Sequence, residues 1–249
     1  MAYRALFEWQ SPLVFISVML ATPFFQIIFF TSFGPAFSHL RPSFFAAGNA
    51  LQVSAMAGVY GVSQTIANER LFGAINNIFV SPANRLALYL GRSLPHAVIG
   101  ALTSAAGLAM AVLLTDLTLT PSRWAALALL LAVTTASCTA IGLILGALGL
   151  IGRDTTITAN VAYLGILLLS GAAVPASRLP AIIAAAARGI PMTNGVRAFR
   201  WLLSHGPDAR FYELVLWEAL VGTCWVVATI LLLQWIEKRA RRMGTLDIV

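Results

Sequence analysis

The sequence predicts an all-α membrane protein, and three observations lead to this fold class. Hydrophobic residues make up 59% of the 249 residues, whereas charged residues make up only 10%. The mean hydropathy of +0.85 corresponds to more apolar surface than a soluble domain of this length can bury. Charges are also unevenly spaced, since no Asp, Glu, Lys or Arg lies between Glu8 and Arg41. The bilayer is therefore the predicted solvent for most of the chain.

Six apolar stretches, most of them bounded by charged residues, are long enough to be transmembrane helices. They are predicted near residues 12–33, 44–67, 93–115, 124–152, 155–177 and 212–236. Each supplies about 20 residues or more, which is enough to cross roughly 30 Å of hydrocarbon. Six crossings place both termini on the same side of the membrane.

Residues 2–10 are predicted to form a short interfacial helix, because their apolar residues share one face while Arg4 and Glu8 pair on another. The apolar run that follows is too long for a cleavable signal peptide. Of the 16 Lys and Arg residues, nine fall on the side of the termini and seven on the other. With the four cations directly after the sixth span, this distribution predicts cytoplasmic termini.

The stretch 178–211 is predicted to be a half-inserted outer hairpin rather than a seventh crossing. Its apolar part, LPAIIAAAA at 179–187, would reach only about 14 Å as a helix, roughly half a bilayer. Prolines divide the stretch into short pieces. We expect its arginines to lie among lipid headgroups.

Two further features predict contacts between helices. Gly142 and Gly146 form a Gly-x-x-x-Gly pattern in the fourth span, which favours close packing within one chain, with dimerisation as the alternative. Glu218 lies early in the sixth span and is expected to pair with Arg197 or Arg200 of the outer hairpin.

Residues 69–82, ERLFGAINNIFVSP, are predicted to form an amphipathic helix that lies along the cytoplasmic surface. Its apolar residues fall on one helical stripe, and Pro82 closes the segment. The segment is too short to cross a bilayer. From periodicity alone, a plain interfacial anchor between the second and third spans remains the alternative.

Polar side chains form stripes at helical spacing in two spans, and such groups must face other helices or a cavity rather than lipid. The second span carries Asn49, Gln52, Met56, Tyr60 and Ser63, and the fifth carries Thr156, Asn160, Tyr163, Leu167 and Ser170. The first span presents Thr22, Phe25, Gln26, Phe29 and Phe33, an apolar wall with one amide. The alternatives are hydrogen bonds between helices, favoured for the second span, and a translocation surface, favoured for the fifth.

Several kinds of chemistry are not predicted for this chain. A nucleotide-binding Gly-x-x-x-x-Gly-Lys loop needs a lysine behind a glycine loop, and the single lysine, Lys238, follows QWIE instead. The sequence predicts no catalytic residue, no metal ligands and no cofactor of its own. Nucleic-acid binding is not predicted either, because the sequence has no basic face interleaved with aromatic residues outside the membrane spans.

Two motifs resemble the permease subunits of type-2 ATP-binding-cassette exporters. In that family a cytoplasmic stretch between spans two and three runs from an acidic residue through Gly-Thr-Leu-Glu to Ser-Pro. The segment E…GAINNIFVSP is similar to it at Glu69, Gly73, Ile75, Ile78, Ser81 and Pro82, and departs from it at Ala74 and Asn76. After the fifth span, VPASRLP…GIPMTNGVRAFRWLL is similar to the family pattern at Pro175, Leu179, Pro180, Pro191, Thr193 and Arg200, with departures at Ile190 and Arg197.

The resemblance implies an ATP-driven mechanism in which residues 69–82 are the coupling helix that docks onto a separate ATPase subunit. The residues implied to contact that subunit are Glu69, Arg70, Gly73, Asn76 and Asn77. ATP and Mg would be bound by the partner ATPase, and this chain would not be an enzyme. A second permease copy, identical or a paralogue, would complete a dimer in the bacterial cytoplasmic membrane.

The resemblance also implies that the fifth span borders the dimer interface together with the first. The residues predicted to line the translocation path are Gln26, Phe29, Asn160, Tyr163 and Ser170. A phenylalanine wall with scattered amides and hydroxyls suits a hydrophobic or amphipathic cargo such as a drug, an antibiotic or a lipid, as in multidrug efflux. Export of a lipid-linked polysaccharide is the alternative.

Two readings from other classes remain open at this point. One is a secondary transporter, for which no ATPase would accompany the chain. The other is an intramembrane serine protease, because Ser63 and His96 both lie near the cytoplasmic ends of their spans. That chemistry would need the hydroxyl within hydrogen-bond reach of the imidazole and an oxyanion hole.

Overall fold

The computed structural model describes residues 12–37, 40–71, 85–115, 120–149, 154–175 and 178–243. Every regular element within these ranges is a helix, which confirms the all-α class for this part of the chain. The predicted interfacial helix at 2–10 and most of the segment 69–82 lie outside the described residues.

The described residues contain nine α-helices. They are α1 (Pro12–Phe37), α2 (Pro42–Met56), α3 (Val62–Leu71), α4 (Arg85–Leu114), α5 (Trp124–Gly149), α6 (Thr155–Leu169), α7 (Ala181–Ala187), α8 (Thr193–His205) and α9 (Ala209–Met243). A π-helical turn, Ala57–Gly61, joins α2 to α3 without a break in the helix. Prolines open α1 and α2, where the missing N–H group costs no helical hydrogen bond.

Three helical segments among the described residues are long and apolar enough to cross a membrane. They are Tyr89–Leu114, Trp124–Gly149 and Ala209–Ile236. Helix α6 is also apolar but has only 15 residues, about 22 Å, because it ends at Leu169 rather than near the expected 177. Gly171, with a φ of +87°, turns the chain just beyond that end.

The helix α2–π–α3 lies at the centre of the bundle and packs closely on α5. A Cβ atom on Gly142 would stand 2.1 Å from the carbonyl oxygen of Gly58, so only glycine allows this approach. A Cβ on Gly146 would stand 2.5 Å from Ile66. The prediction that the Gly-x-x-x-Gly pattern packs within one chain is therefore confirmed.

The contacts show that α4 and α6 run antiparallel to this central helix. On α4, His96 faces Gly61 while Gly107, later in the chain, faces Ala50. On α6, Thr156 binds Gln64, whereas the stretch after α6 reaches Gly48. The start of α2, the end of α6 and the helices α7 and α8 that follow it therefore lie at the same end of the bundle.

Candidate functional site

Polar side chains of α1, α2 and α6 meet at one place in the bundle. The Nε2 of Gln26 donates a hydrogen bond to the Oδ1 of Asn49 at 3.0 Å. The hydroxyl of Tyr163 donates to the Oε1 of the same Gln26 at 3.2 Å. The amide of Gln26 thus joins α1 to both α2 and α6.

The network continues along α6 and the central helix toward α3. The hydroxyl of Tyr60 donates to the Oδ1 of Asn160, and the Nε2 of Gln64 donates to the Oγ1 of Thr156 at 2.8 Å. The rings of Tyr60 and Tyr163 are 5.6 Å apart, which connects the two parts of the network. We call the whole set the polar seam: Gln26, Asn49, Gln52, Tyr60, Gln64, Thr156, Asn160 and Tyr163.

The polar seam runs from the core to the outer surface of the chain. Asn49 and Gln52 are fully buried, Gln26 and Tyr60 are half-buried, and Asn160 is exposed. Its exposed edge is flanked by apolar side chains that are also exposed, namely Phe25, Phe29 and Phe33 on α1 and Ile157, Val161, Leu164 and Leu168 on α6. The seam contains only amides and hydroxyls, so it can bind polar groups without attracting ions of either sign.

Gln52 is the least satisfied member of the polar seam. It is fully buried and lies beside the hydroxyl of Tyr163, yet neither polar atom of its amide makes a hydrogen bond of ordinary geometry to any described residue. A buried amide without partners costs about 1–3 kcal/mol.

The structure brings together three of the five residues predicted to line a path. Gln26, Asn160 and Tyr163 belong to the polar seam. Phe29 is 56% exposed and its ring lies 5.2 Å from that of Phe33, so it forms part of the flanking apolar surface. Ser170 is buried at the end of α6, where its Oγ accepts a hydrogen bond from the N–H of Ala172, and it takes no part in the seam.

The seam also includes residues that were assigned to helix packing or not singled out at all. The hydrogen bonds between helices expected for the second span are present at Asn49 and Tyr60. Gln64 was missed, although a signal exists: Tyr60 and Gln64 are four residues apart on one helix, as are Thr156 and Asn160 on an antiparallel one. This matched spacing aligns the two pairs side by side.

A second group of polar contacts holds the hairpin to the bundle. Glu218 of α9 is fully buried, and its carboxylate accepts hydrogen bonds from the backbone N–H groups of Met192, Asn194 and Gly195 at 2.5–3.1 Å. These groups begin α8, where no helical partner exists for them. Met192 itself has a φ of +77°, which turns the chain into the helix.

Arg200 of α8 is a donor to backbone carbonyl groups at the end of α6, whereas Glu218 is an acceptor from backbone N–H groups. Its Nη2 donates to the carbonyl oxygen of Gly171 at 2.8 Å, and its guanidinium lies 3.6 Å from the centre of the Phe44 ring. Burial lowers the pKa of Arg200 to about 10, so the group remains charged at neutral pH. We call Glu218, Arg200 and the backbone groups that they bind the hairpin anchor.

The hairpin anchor corrects the prediction that Glu218 pairs with Arg197 or Arg200. The carboxylate binds N–H groups at a helix start, and Arg200 binds carbonyl oxygens just past a helix end. Each charge thus meets the end of a helix whose dipole it complements. The prediction was wrong because buried backbone groups need partners as much as buried charges do.

Comparison with known families decides the class of the protein. The sequence model described as "ABC-2 family transporter protein" matches residues 42–236, well over half of the chain. This chain belongs to the ABC-2 transporter family. No curated protein and no solved structure matches it.

The matched part of this ABC-2 family member contains the whole hairpin anchor and most of the polar seam. It begins with α2 and ends within α9, so only Gln26 of the seam lies before it. Proteins of this family are the membrane component of a transport system and are not themselves catalytic. The described helices agree with that role, since several of them are apolar enough to span a bilayer.

The geometry argues against a protease in this ABC-2 family member. The hydroxyl of Ser63 donates to the carbonyl oxygen of Val59, within its own helix. The Nε2 of His96 instead shares a hydrogen bond with the Oγ1 of Thr65 at 2.9 Å. Ser63 and His96 therefore do not form the nucleophile–base pair that the alternative requires.

The predicted coupling residues lie at or beyond the end of α3. Glu69 and Arg70 fall in its last turn, and their side chains are not described. Gly73, Asn76 and Asn77 lie outside the described residues. Their contact with an ATPase stays a prediction.

Proposed function

We propose that this chain is the permease subunit of an ATP-driven exporter and that the polar seam lines the path of its cargo. The observation that carries the proposal is an exposed edge of amides and hydroxyls within an otherwise apolar surface. Polar groups on such a surface are costly against lipid. A second permease copy placed against α1 and α6 would cover this edge and form a path between two seams.

In the proposed topology, α1, the central helix α2–π–α3 and α6 join the three long apolar helices to make six spans. Helix α1 has 26 residues, which is enough to cross. Helix α6 is short, but the non-helical residues that follow it are buried, and Arg200 binds one of their carbonyl groups. Irregular backbone at membrane depth is tolerated where protein satisfies it. Helices α7 and α8 then form a half-inserted outer hairpin, and both termini are cytoplasmic.

The composition of the seam supports a hydrophobic or amphipathic cargo, such as a drug, an antibiotic or a lipid. Exposed phenylalanines of α1 provide apolar contact, while the seam provides uncharged donors and acceptors. A strongly charged cargo would find no counter-charge among the seam residues. A lipid-linked polysaccharide is the alternative cargo. Transport assays with both kinds of molecule would distinguish it from a small amphipathic one.

Continuity of the central helix suggests how an ATPase could act on the seam. Gln64 of the seam lies on α3 about 10 Å from Leu71, where the predicted coupling segment takes over. A push on that segment would reach Gln64 and Tyr60 through one continuous helix. The π-helical turn at Ala57–Gly61 lies next to these residues, and such turns often occur at functional positions.

Transport by a double variant tests the path. Asn160→Leu combined with Tyr163→Leu removes two seam side chains, so efflux of amphipathic dyes should change while the complex assembles and basal ATP hydrolysis stays normal. Val161→Leu, on the exposed apolar face of the same helix, is the matched control. Unchanged efflux of every dye by the double variant would remove the seam from the path.

Two tryptophan substitutions test whether residues 69–82 couple the permease to its ATPase. Gly73→Trp should insert and dimerise normally but lose the ATPase subunit that copurifies with the wild-type chain, because an indole blocks close approach. Phe72→Trp, on the predicted lipid-facing stripe, is the control and should retain the ATPase, since indole rings suit the membrane interface. If Gly73→Trp keeps normal ATPase binding and substrate-stimulated hydrolysis, the segment is only an anchor.

A further inference from the structure

A cavity of about 310 Å³ opens between α8 and the first turns of α9, apart from the polar seam. It is lined by Arg197, Arg200, Trp201, Ser204, Arg210 and Leu214. Three of the six lining residues are arginines, and no carboxylate is among them. A concave site of this size can hold a small organic group rather than a single ion.

The three arginines of this cavity are only partly neutralised, because Glu213 is the one carboxylate that acts on them among the described residues. Burial, followed by the charges of Arg188 and Arg210, lowers the pKa of Arg197, and only Glu213 acts in the opposite direction. Glu213 is itself in contact with Arg210, at 2.5 Å on the exposed side of α9. The cavity thus keeps an excess of positive charge that a bound anion would relieve.

Two of the guanidinium groups have donors to offer. Within the described residues, the buried Nε of Arg200 has no hydrogen-bond partner, although its Nη2 donates to the carbonyl oxygen of Gly171. Among the residues that the structure describes, Arg197 makes one long hydrogen bond, from its Nη1 to the Oδ1 of Asn194 at 3.4 Å. The fork of a guanidinium group can donate to two oxygens of one phosphate group. These arginines therefore suit a phosphate better than an uncharged, apolar ligand.

The cavity lies at the end of a candidate membrane span, at the depth where headgroups are expected. The apolar segment of α9 begins at Ala209, one residue before Arg210. Tyr212 and Trp217 are exposed on the first turns of this helix, as is typical of side chains at a membrane interface. Trp201 and Leu214 give the cavity an apolar wall beside its charged one.

We propose that this cavity binds a phosphate monoester or diester at the membrane surface, with Arg197, Arg200 and Arg210 on the phosphate and Trp201 and Leu214 against the adjoining apolar part. The ligand chemistry could come from a lipid headgroup or from free phosphate. The site stands apart from the seam, so it does not depend on the proposed path for cargo.

Isothermal titration of the purified full chain in neutral detergent tests the proposal with three probes. They are dihexanoyl phosphatidic acid, dihexanoylglycerol (the same molecule without phosphate) and inorganic phosphate. We expect phosphatidic acid to bind and dihexanoylglycerol not to bind. Binding of inorganic phosphate with equal affinity would assign the site to a free ion, whereas weaker binding would assign it to a lipid headgroup. Equal binding of the two dihexanoyl compounds, or binding of none of the probes, would overturn the phosphate site.

Arginine variants show whether binding occurs in this cavity. Arg197→Gln should weaken the binding of phosphatidic acid about tenfold or more, because a charge-assisted hydrogen bond is lost. Arg210→Gln, at an exposed position where the guanidinium contacts Glu213, should weaken the binding of phosphatidic acid as well. Arg178→Gln, in the hairpin but outside the cavity, is the matched control and should bind as the wild type does. Equal losses in Arg178→Gln and Arg197→Gln would show general attraction to a basic surface and would contradict the proposal.

Discussion

The polar seam and the hairpin anchor both place polar side chains among apolar helices, but they satisfy them in different ways. In the seam, amides and hydroxyls bind one another, and part of the network is exposed at the surface. In the hairpin anchor, the buried Glu218 and the half-buried Arg200 bind the backbone at helix ends. Bonds to backbone fix a fold, because those backbone groups have no other partner. Bonds between exposed side chains can be exchanged for bonds to another molecule.

The comparison predicts different responses to mutation, and the largest concerns Glu218. Glu218→Leu leaves three buried N–H groups without an acceptor, so it should destabilise the chain by roughly 3 kcal/mol or more. Thermal unfolding of the purified protein in detergent would measure the loss. Glu213→Gln is the control, because that carboxylate is exposed on the same helix and should leave the unfolding temperature unchanged. An unchanged unfolding temperature for Glu218→Leu would mean that the hairpin anchor does not stabilise the fold.

Substitution of Arg200 should destabilise the fold in a similar way but by less. Arg200→Leu removes the donor to the carbonyl of Gly171, which should cost about 2 kcal/mol and increase proteolysis between α6 and α7. Arg188→Leu, an exposed arginine of the same hairpin, should have little effect. If the two variants unfold alike, the guanidinium of Arg200 is not a structural contact.

The smallest effect on stability is expected in the seam. Asn160→Leu removes an exposed acceptor of Tyr60, so the free energy of unfolding should fall by no more than about 1 kcal/mol. The same variant should still alter transport if the seam lines the path. Comparison of its unfolding temperature with that of Glu218→Leu separates the two regions directly, and equal destabilisation by both would erase the distinction between them.

Much of the helical layout could be predicted from local signals. Helix α5 begins at Trp124 and α6 at Thr155, as the charge spacing predicted, and α7 occupies the short apolar piece after Pro180. Charges and prolines act on their own helix, so their effect can be seen in the sequence. Helix α4 begins at Arg85, earlier than the expected 93, so the charges that marked the predicted start of this span lie within the helix itself.

The candidate site was only partly predictable. The spacing of Asn160 and Tyr163 identified one polar face, but it could not show that Gln26 joins that face to Asn49. Ser170 was predicted from the same spacing, and its Oγ accepts a hydrogen bond from the N–H of Ala172 just beyond the early end of α6.

The sequence by itself determined that this protein is helical, that it suits a membrane and where most of its helices begin. Composition and periodicity are enough for this, because each apolar stretch must satisfy its own backbone inside a bilayer. Only the tertiary structure decided which polar groups meet. Glu218 binds the start of α8 rather than an arginine, and Arg200 binds the backbone at the end of α6. In both cases the polar group binds the unsatisfied partner that packing brings within reach.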